Sequence, residues 1–316
     1  MQRLTKAIIL SLLISGIHHS TINAQVAPTL IEGKGPLVLS LSSNTRSMAM
    51  GNAFQLADPT SDIIFYNPSN FVGPTSFEMA RQTFGKHSSL LQVSAKTEWW
   101  KGGIGIGIQS LTYSKNVNHI QPSAVNHTET ALFADGLNRI IESVAVLGYS
   151  TNIASVDWGI STKLISQGVG GQKTQTFALD IGGTRKLGDI TIGLSHQNLG
   201  HGLKMETSQL NLEDRTTMGA AFHNLPLGPL DIGGSIALSR ISDGSITQSL
   251  GGEISWWPVV GRTFTGRMGI RNNKEKFNAA IFSFGLAFKG DALGIDYAFN
   301  NIDEAGKTHR ISVSWR

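Results

Sequence analysis

From Ser76 to Trp315 apolar and polar residues alternate with a period of two, interrupted at intervals by turn residues. The pattern is plainest near the end of the chain. In 277–288 Ala280, Phe282, Phe284, Leu286 and Phe288 share one face. In 290–299 Leu293, Ile295, Tyr297 and Phe299 oppose Asp296, and in 307–315 Ile311, Val313 and Trp315 oppose Arg310 and Ser312. Fourteen segments of about ten residues read this way: 76–84, 87–97, 101–113, 142–153, 155–166, 173–183, 189–199, 213–223, 229–240, 246–257, 261–272, 277–288, 290–299 and 307–315. Strands of that length and number, each with one apolar and one polar face, predict an all-β protein: a transmembrane antiparallel β-barrel of about 14 strands. Within 101–113, Ile104, Ile106 and Ile108 alternate with Gly103, Gly105 and Gly107. Glycine on the inner face leaves room for something inside the barrel.

The connections sort by length. Odd-numbered ones include 114–141, 198–212, 241–245 and 300–306; the even-numbered are mostly short. Bacterial membrane barrels have short periplasmic turns and longer extracellular loops, so the short turns are expected to face the periplasm. Trp99, Trp100, Trp256, Trp257 and Trp315 fall beside short turns, as an interfacial aromatic belt would.

Ahead of the strands three stretches differ. Met1–Ala24 carries Arg3 and Lys6, the apolar core AIILSLLISGI and a small residue before Gln25, which predicts a secretory signal peptide. The rest, 25–75, is expected to comprise a tether in the periplasm (25–43) and a plug that the wall, 76–316, surrounds. The plug, Asn44–Gly73, joins an apolar run around Met48, Met50, Gly51 and Phe54 to turns at Asp58-Pro59 and Asn67-Pro68. Met48, Met50, Gly51, Phe54, Phe65, Tyr66, Asn67 and Pro68 are the candidates for a ligand-facing surface, or for packing against the wall.

The plug also carries a resemblance. The run from Arg46 through Met48, Met50-Gly51 and Ala53-Phe54, then Ala57-Asp58 and Tyr66-Asn67-Pro68, resembles the N-terminal signature of the PorV/PorQ family of outer-membrane barrels, relatives of FadL-type channels. Asn44-Thr45 stands where Gly-Ala is usual, Tyr66 replaces a tryptophan, and Ser69-Asn70 replaces Ala-Gly. LSHQNLG at 194–200, DYAF at 296–299 and THRISVSW at 308–315 are similar to further family motifs. The family usually ends on an aromatic residue; here Arg316 follows Trp315. The resemblance implies an outer-membrane location, contact with outer-membrane lipid, and passage of a hydrophobic small-molecule ligand with no bond made or broken. A PorV-like role implies instead docking of secreted proteins or components of a type IX secretion system by loops such as Tyr113–Glu142.

Composition agrees with a membrane barrel. Glycine numbers 36 of 316 residues, and charged residues are 15%, against about 25% in soluble domains. The net charge is +4; removing Arg3 and Lys6 leaves +2, too weak to indicate nucleic acid. There is no cysteine, which excludes disulfides, thiolate nucleophiles and thiolate metal sites. No hydrolase elbow, zinc-protease pair or phosphate loop is present, so no catalytic residue, metal or cofactor is expected and the chain reads as non-enzymatic. His119, His127 and Glu129 share one loop without diagnostic spacing.

The polar face collects Asp157, Lys163, Asp180, Glu253, Arg267, Arg271, Asp296 and Arg310. Turns centred near Val260 and Asp303 predict two lumen ion pairs, Glu253–Arg267 and Asp296–Arg310.

Overall fold

The computed structural model describes residues 31–53, 56, 60–115, 132, 138–169, 171–204, 208–273, 281–302 and 306–316. The expected signal peptide, Phe54, His119, His127 and Glu129 lie outside the described residues.

Fourteen antiparallel strands close on themselves. They are β2 (Ser76–Phe84), β3 (Ser88–Trp99), β4 (Gly102–Lys115), β5 (Asn138–Ile153), β6 (Val156–Val169), β7 (Gln172–Leu187), β8 (Ile190–Gly200), β11 (Arg215–Leu227), β12 (Leu230–Ile241), β13 (Ile246–Val259), β14 (Arg262–Asn273), β15 (Ile281–Lys289), β16 (Leu293–Ile302) and β17 (Gly306–Trp315). The ring closes where β17 pairs with β2, from Thr308 opposite Phe84 to Trp315 opposite Phe77. Closure leaves no unpaired wall edge. Among the described residues no helix is long and apolar enough to cross a membrane.

Alternation decides the two surfaces. Outward positions expose Ile106, Ile108, Phe177, Met268, Phe282 and Leu286, and inward positions are buried or half-buried. All six tryptophans lie at the rim of the two- and three-residue turns, Trp158 joining the five beside turns, and all are about half exposed or more. The opposite rim carries the longer connections, 116–137 and 201–214 among them. Two short strands from the latter, β9 (Leu203–Lys204) and β10 (Ser208–Asn211), form a separate sheet there with β1 (Ile31–Lys34), which pairs with β10 in parallel.

That pairing corrects the expected tether. Residues 31–34 sit at the long-connection rim, not below the short-turn rim, and 35–43 already run inside the barrel: Leu37, Val38 and Leu41 are buried against β5 and its neighbours. Alternation carries no information about a four-residue strand whose partner lies far along the chain, so the sequence offered no sign of it.

From there the chain descends through the lumen. A single 3-10 turn covers Leu37–Leu39, α1 (Thr45–Ala49) follows, and further 3-10 turns cover Ser61–Phe65 and Pro68–Asn70. Asn44 caps α1 by accepting the Ser47 N–H at 2.6 Å, and Asn67 caps the last turn by accepting that of Ser69. β2 then starts at the short-turn rim. Residues 35–71 thus cross the barrel once from one rim to the other.

Candidate functional site

The wall seats this inner segment by omitting side chains. A Cβ on Gly107 would lie 2.5 Å from the Phe65 ring, and one on Gly251 would lie 2.5 Å from the Met50 Cβ. A Cβ on Gly269 would overlap the Met50–Gly51 backbone, one on Gly159 the Pro68 carbonyl, and one on Gly182 the Asn67 amide oxygen. Gly51 itself has φ of +65° and donates its N–H to Ser283 Oγ at 2.9 Å, a conformation that disfavours any side chain. Met48 packs with Ala49 against Ala298.

Met48, Met50, Gly51, Phe65, Tyr66, Asn67 and Pro68 are therefore committed to the wall or to the segment itself. Of the two roles expected for them, ligand-facing or packing against the wall, the burial and close contacts of these residues accord with packing. Tyr66 shows how: its hydroxyl accepts the N–H groups of Ser43 and Asn44.

Charge holds the segment from the sides. Glu253 stands opposite Arg267 in the β13–β14 ladder, and Arg267 Nε lies 3.1 Å from Glu253 Oε2. The inner segment joins this pair: Arg46 Nε donates to Glu253 Oε2 at 3.0 Å, and a second Arg46 nitrogen contacts Oε1.

Asp296 and Arg310 do not pair. The register sets Asp296 opposite Ser312 and Arg310 opposite Ala298, because the β16–β17 hairpin centres one residue later than expected. Each centre moved by one shifts the pairing by two, so the faces are kept and the partners change. Asp296 contacts Arg267 instead. Arg310, fully buried, donates to Thr45 Oγ1 at 3.0 Å, Ser43 O at 2.9 Å, and Ser42 O and Gln82 Oε1 at 3.3 Å. It clamps the chain just before α1. Lys163 lies 2.7 Å from Asp180 and reaches the Phe65 carbonyl, which Gln197 also holds at 2.8 Å.

Above and below this collar the lumen differs in character. Near the short-turn rim a cavity of about 520 Å³ is lined by Arg46, Glu78, Asp231, Glu253, Arg267 and Asp296 among other, mostly polar, groups. Near the opposite rim the inward faces turn apolar. Phe84, Leu90, Leu111, Tyr113, Ile140, Val144, Ile165 and Val169 all point inward and are buried, together with Leu37, Val38 and Leu41 of the inner segment and Leu203, Leu210 and Leu212 beside the rim sheet. The one-face-polar expectation missed these residues. Doubled apolar positions, Leu90-Leu91 and Ile140-Ile141, were the signal, since a pair of neighbours must place one apolar side chain on each face.

No protein-family model matches the chain and no curated protein matches it. Solved structures do. The Pseudomonas putida toluene transporter TodX superposes with a TM-score of 0.59 at 12% identity, covering 91% of this chain and 99% of that one. A Pseudomonas aeruginosa FadL homologue gives 0.58 at 8% identity over 87% and 98%. The CymD monoaromatic hydrocarbon channel gives 0.54 at 9% identity over 92% and 98%. The fold is FadL-like. At such identities the likeness extends to architecture alone, and the FadL-like barrel here is read through its own residues. Among those described, no group of three or more His, Asp or Glu side chains could hold a metal ion.

Proposed function

We propose that the protein is an outer-membrane channel that takes up a hydrophobic small molecule without chemical change. One observation carries this reading: the inward faces of β2 to β6 form a buried apolar lining at the long-connection rim, packed by Leu37, Val38 and Leu41 of the inner segment. A water-filled pore calls for polar inward residues; an apolar chamber inside a wall that is also apolar outside suits a cargo that shuns water. The exposed apolar outer positions and the tryptophan belt support insertion in an outer membrane, with the short turns periplasmic and a leader removed on export. The names of the FadL-like neighbours, transporters or channels for toluene and monoaromatic hydrocarbons, support the same cargo class. The inner segment acts as the plug.

The resemblance of the Arg46–Pro68 motif supports placing the chain in the PorV/PorQ branch. A second reading, docking of secreted proteins, is favoured by the rim sheet, which ties β1 to the 201–214 connection and stiffens that rim. Proteoliposomes loaded with a lipophilic fluorophore separate the two. Protein-dependent uptake that falls when Leu111 and Ile140 are changed to Asp supports the channel; uptake equal to protein-free vesicles sinks it.

A further inference from the structure

Among the described residues the apolar lining surrounds an acidic side chain, Glu142, that the inner segment contacts. Glu142 is fully buried on β5, between Ile140 and Val144 along the strand and beside Leu111 and Gln167 across it. Its Oε1 accepts the Tyr113 hydroxyl at 2.9 Å and the Gln167 amide at 2.9 Å. Its Oε2 accepts the backbone N–H of Val38 at 2.8 Å. Donors on both oxygens, from the wall and from the inner segment, mark the group as an acceptor toward the lumen. Around that contact the side chains of Leu37, Val38 and Leu41 fill the chamber.

The chain has thus placed in its own chamber a fragment with a hydrogen-bond donor at one point and branched apolar groups around it. We propose that Leu37–Leu41 occupies the ligand position as an internal surrogate, and that the cargo is a neutral amphiphile whose hydroxyl or primary amide replaces the Val38 N–H on Glu142. This rests on the channel reading and narrows its substrate. A pure hydrocarbon that displaced the segment would strip a donor from a buried carboxylate and supply none. A carboxylate ligand would set acceptor against acceptor in an apolar surround. An alcohol satisfies both the chamber and the acid. Tyr113 and Gln167 are positioning residues: they hold the Glu142 carboxyl so that one oxygen faces the incoming group.

The test uses the purified full-length protein in amphipol with three probes of equal chain length: decan-1-ol, decanoate and decane, titrated by calorimetry near neutral pH. Decanol is expected to bind about tenfold or more tighter than decanoate, with decane weaker than decanol. In Glu142→Gln, assembled as judged by heat-modifiable migration, the alcohol–acid gap should shrink to about threefold or less. Should that variant fail to assemble, Leu37→Ala serves. Trimming the surrogate should tighten decanol severalfold, and unchanged affinity would overturn the inference. Equal binding of the three probes, or a gap that Glu142→Gln leaves intact, overturns the headgroup assignment and leaves the channel standing. Absence of binding by every probe removes both.

Discussion

At the scale of single residues the lumen is a set of sockets, each with one plausible occupant. Glu253 serves two arginines from different parts of the chain, Arg46 of the inner segment and Arg267 of the wall. Replacing it by glutamine keeps the shape and removes the charge that Arg46 and Arg267 share, while Arg267 retains its contact with Asp296. Glu253→Gln should destabilise seating of the inner segment by about 1–3 kcal/mol, read as a lower temperature for the heat-modifiable shift; a variant with Arg46→Met as well should lose little more, since the two changes break one contact. Gly269 tests packing rather than charge. Gly269→Val would drive side-chain atoms into the Met50–Gly51 backbone. The expected cost is about 1–3 kcal/mol, with raised conductance in planar bilayers as the segment lifts from its seat. A normal melting temperature and a silent bilayer would mean the segment can shift without loss. Sequence reasoning reached Glu253 opposite Arg267 from a turn centred near Val260; the turn itself pairs Val259 with Arg262, and a register shift between Trp256 and Val259 restores the expected pairing. It missed the third member, Arg46, because nothing in local spacing tells which wall residue a lumen segment meets 207 positions away.

At the scale of elements, the wall was legible and its contents were not. Period-two alternation survives in every wall strand because one face meets solvent or lipid and the other meets the lumen, so the count of fourteen follows from pattern alone. Strand ends were less visible: β5 begins at Asn138 and β4 runs to Lys115, well into what reads as the 114–141 loop, because Tyr113 and Ile140 are apolar on the inner face. β1, β9 and β10 are too short to show a period. The wall ladders are complete without the inner segment. Deleting Asn44–Gly73 should therefore leave a protein that inserts but leaks. Failure of the truncated chain to insert at all would show that Arg310 and Lys163, which donate to Thr45 and Phe65, cannot be left buried without them.

At the scale of the whole molecule, two rims of different character give the barrel a direction. The chain lacks cysteine, so any introduced cysteine is a unique probe. Gln209→Cys, in β10, should react with a membrane-impermeant maleimide on intact cells, whereas Asp189→Cys, in a two-residue turn, should react only after the outer membrane is permeabilised. The reverse labelling would invert the orientation. The path of the inner segment also bears on how the molecule is made. Residues 31–34 are anchored at one rim and β2 begins at the other. Threading 35–71 end-first through a finished ring would require passing bulky Phe65, Met50 and Leu41 over seats shaped for other residues. An open, curved sheet imposes no such order of passage. Assembly is thus expected to lay the segment on the unfinished sheet and to zip β17 onto β2 last, so that the seam acts as a lock on a cargo already aboard. In a pulse-chase with paired cysteines, a Met48–Ala298 crosslink should mature before a Phe77–Trp315 crosslink; the opposite sequence would mean that the ring closes empty and is filled afterwards.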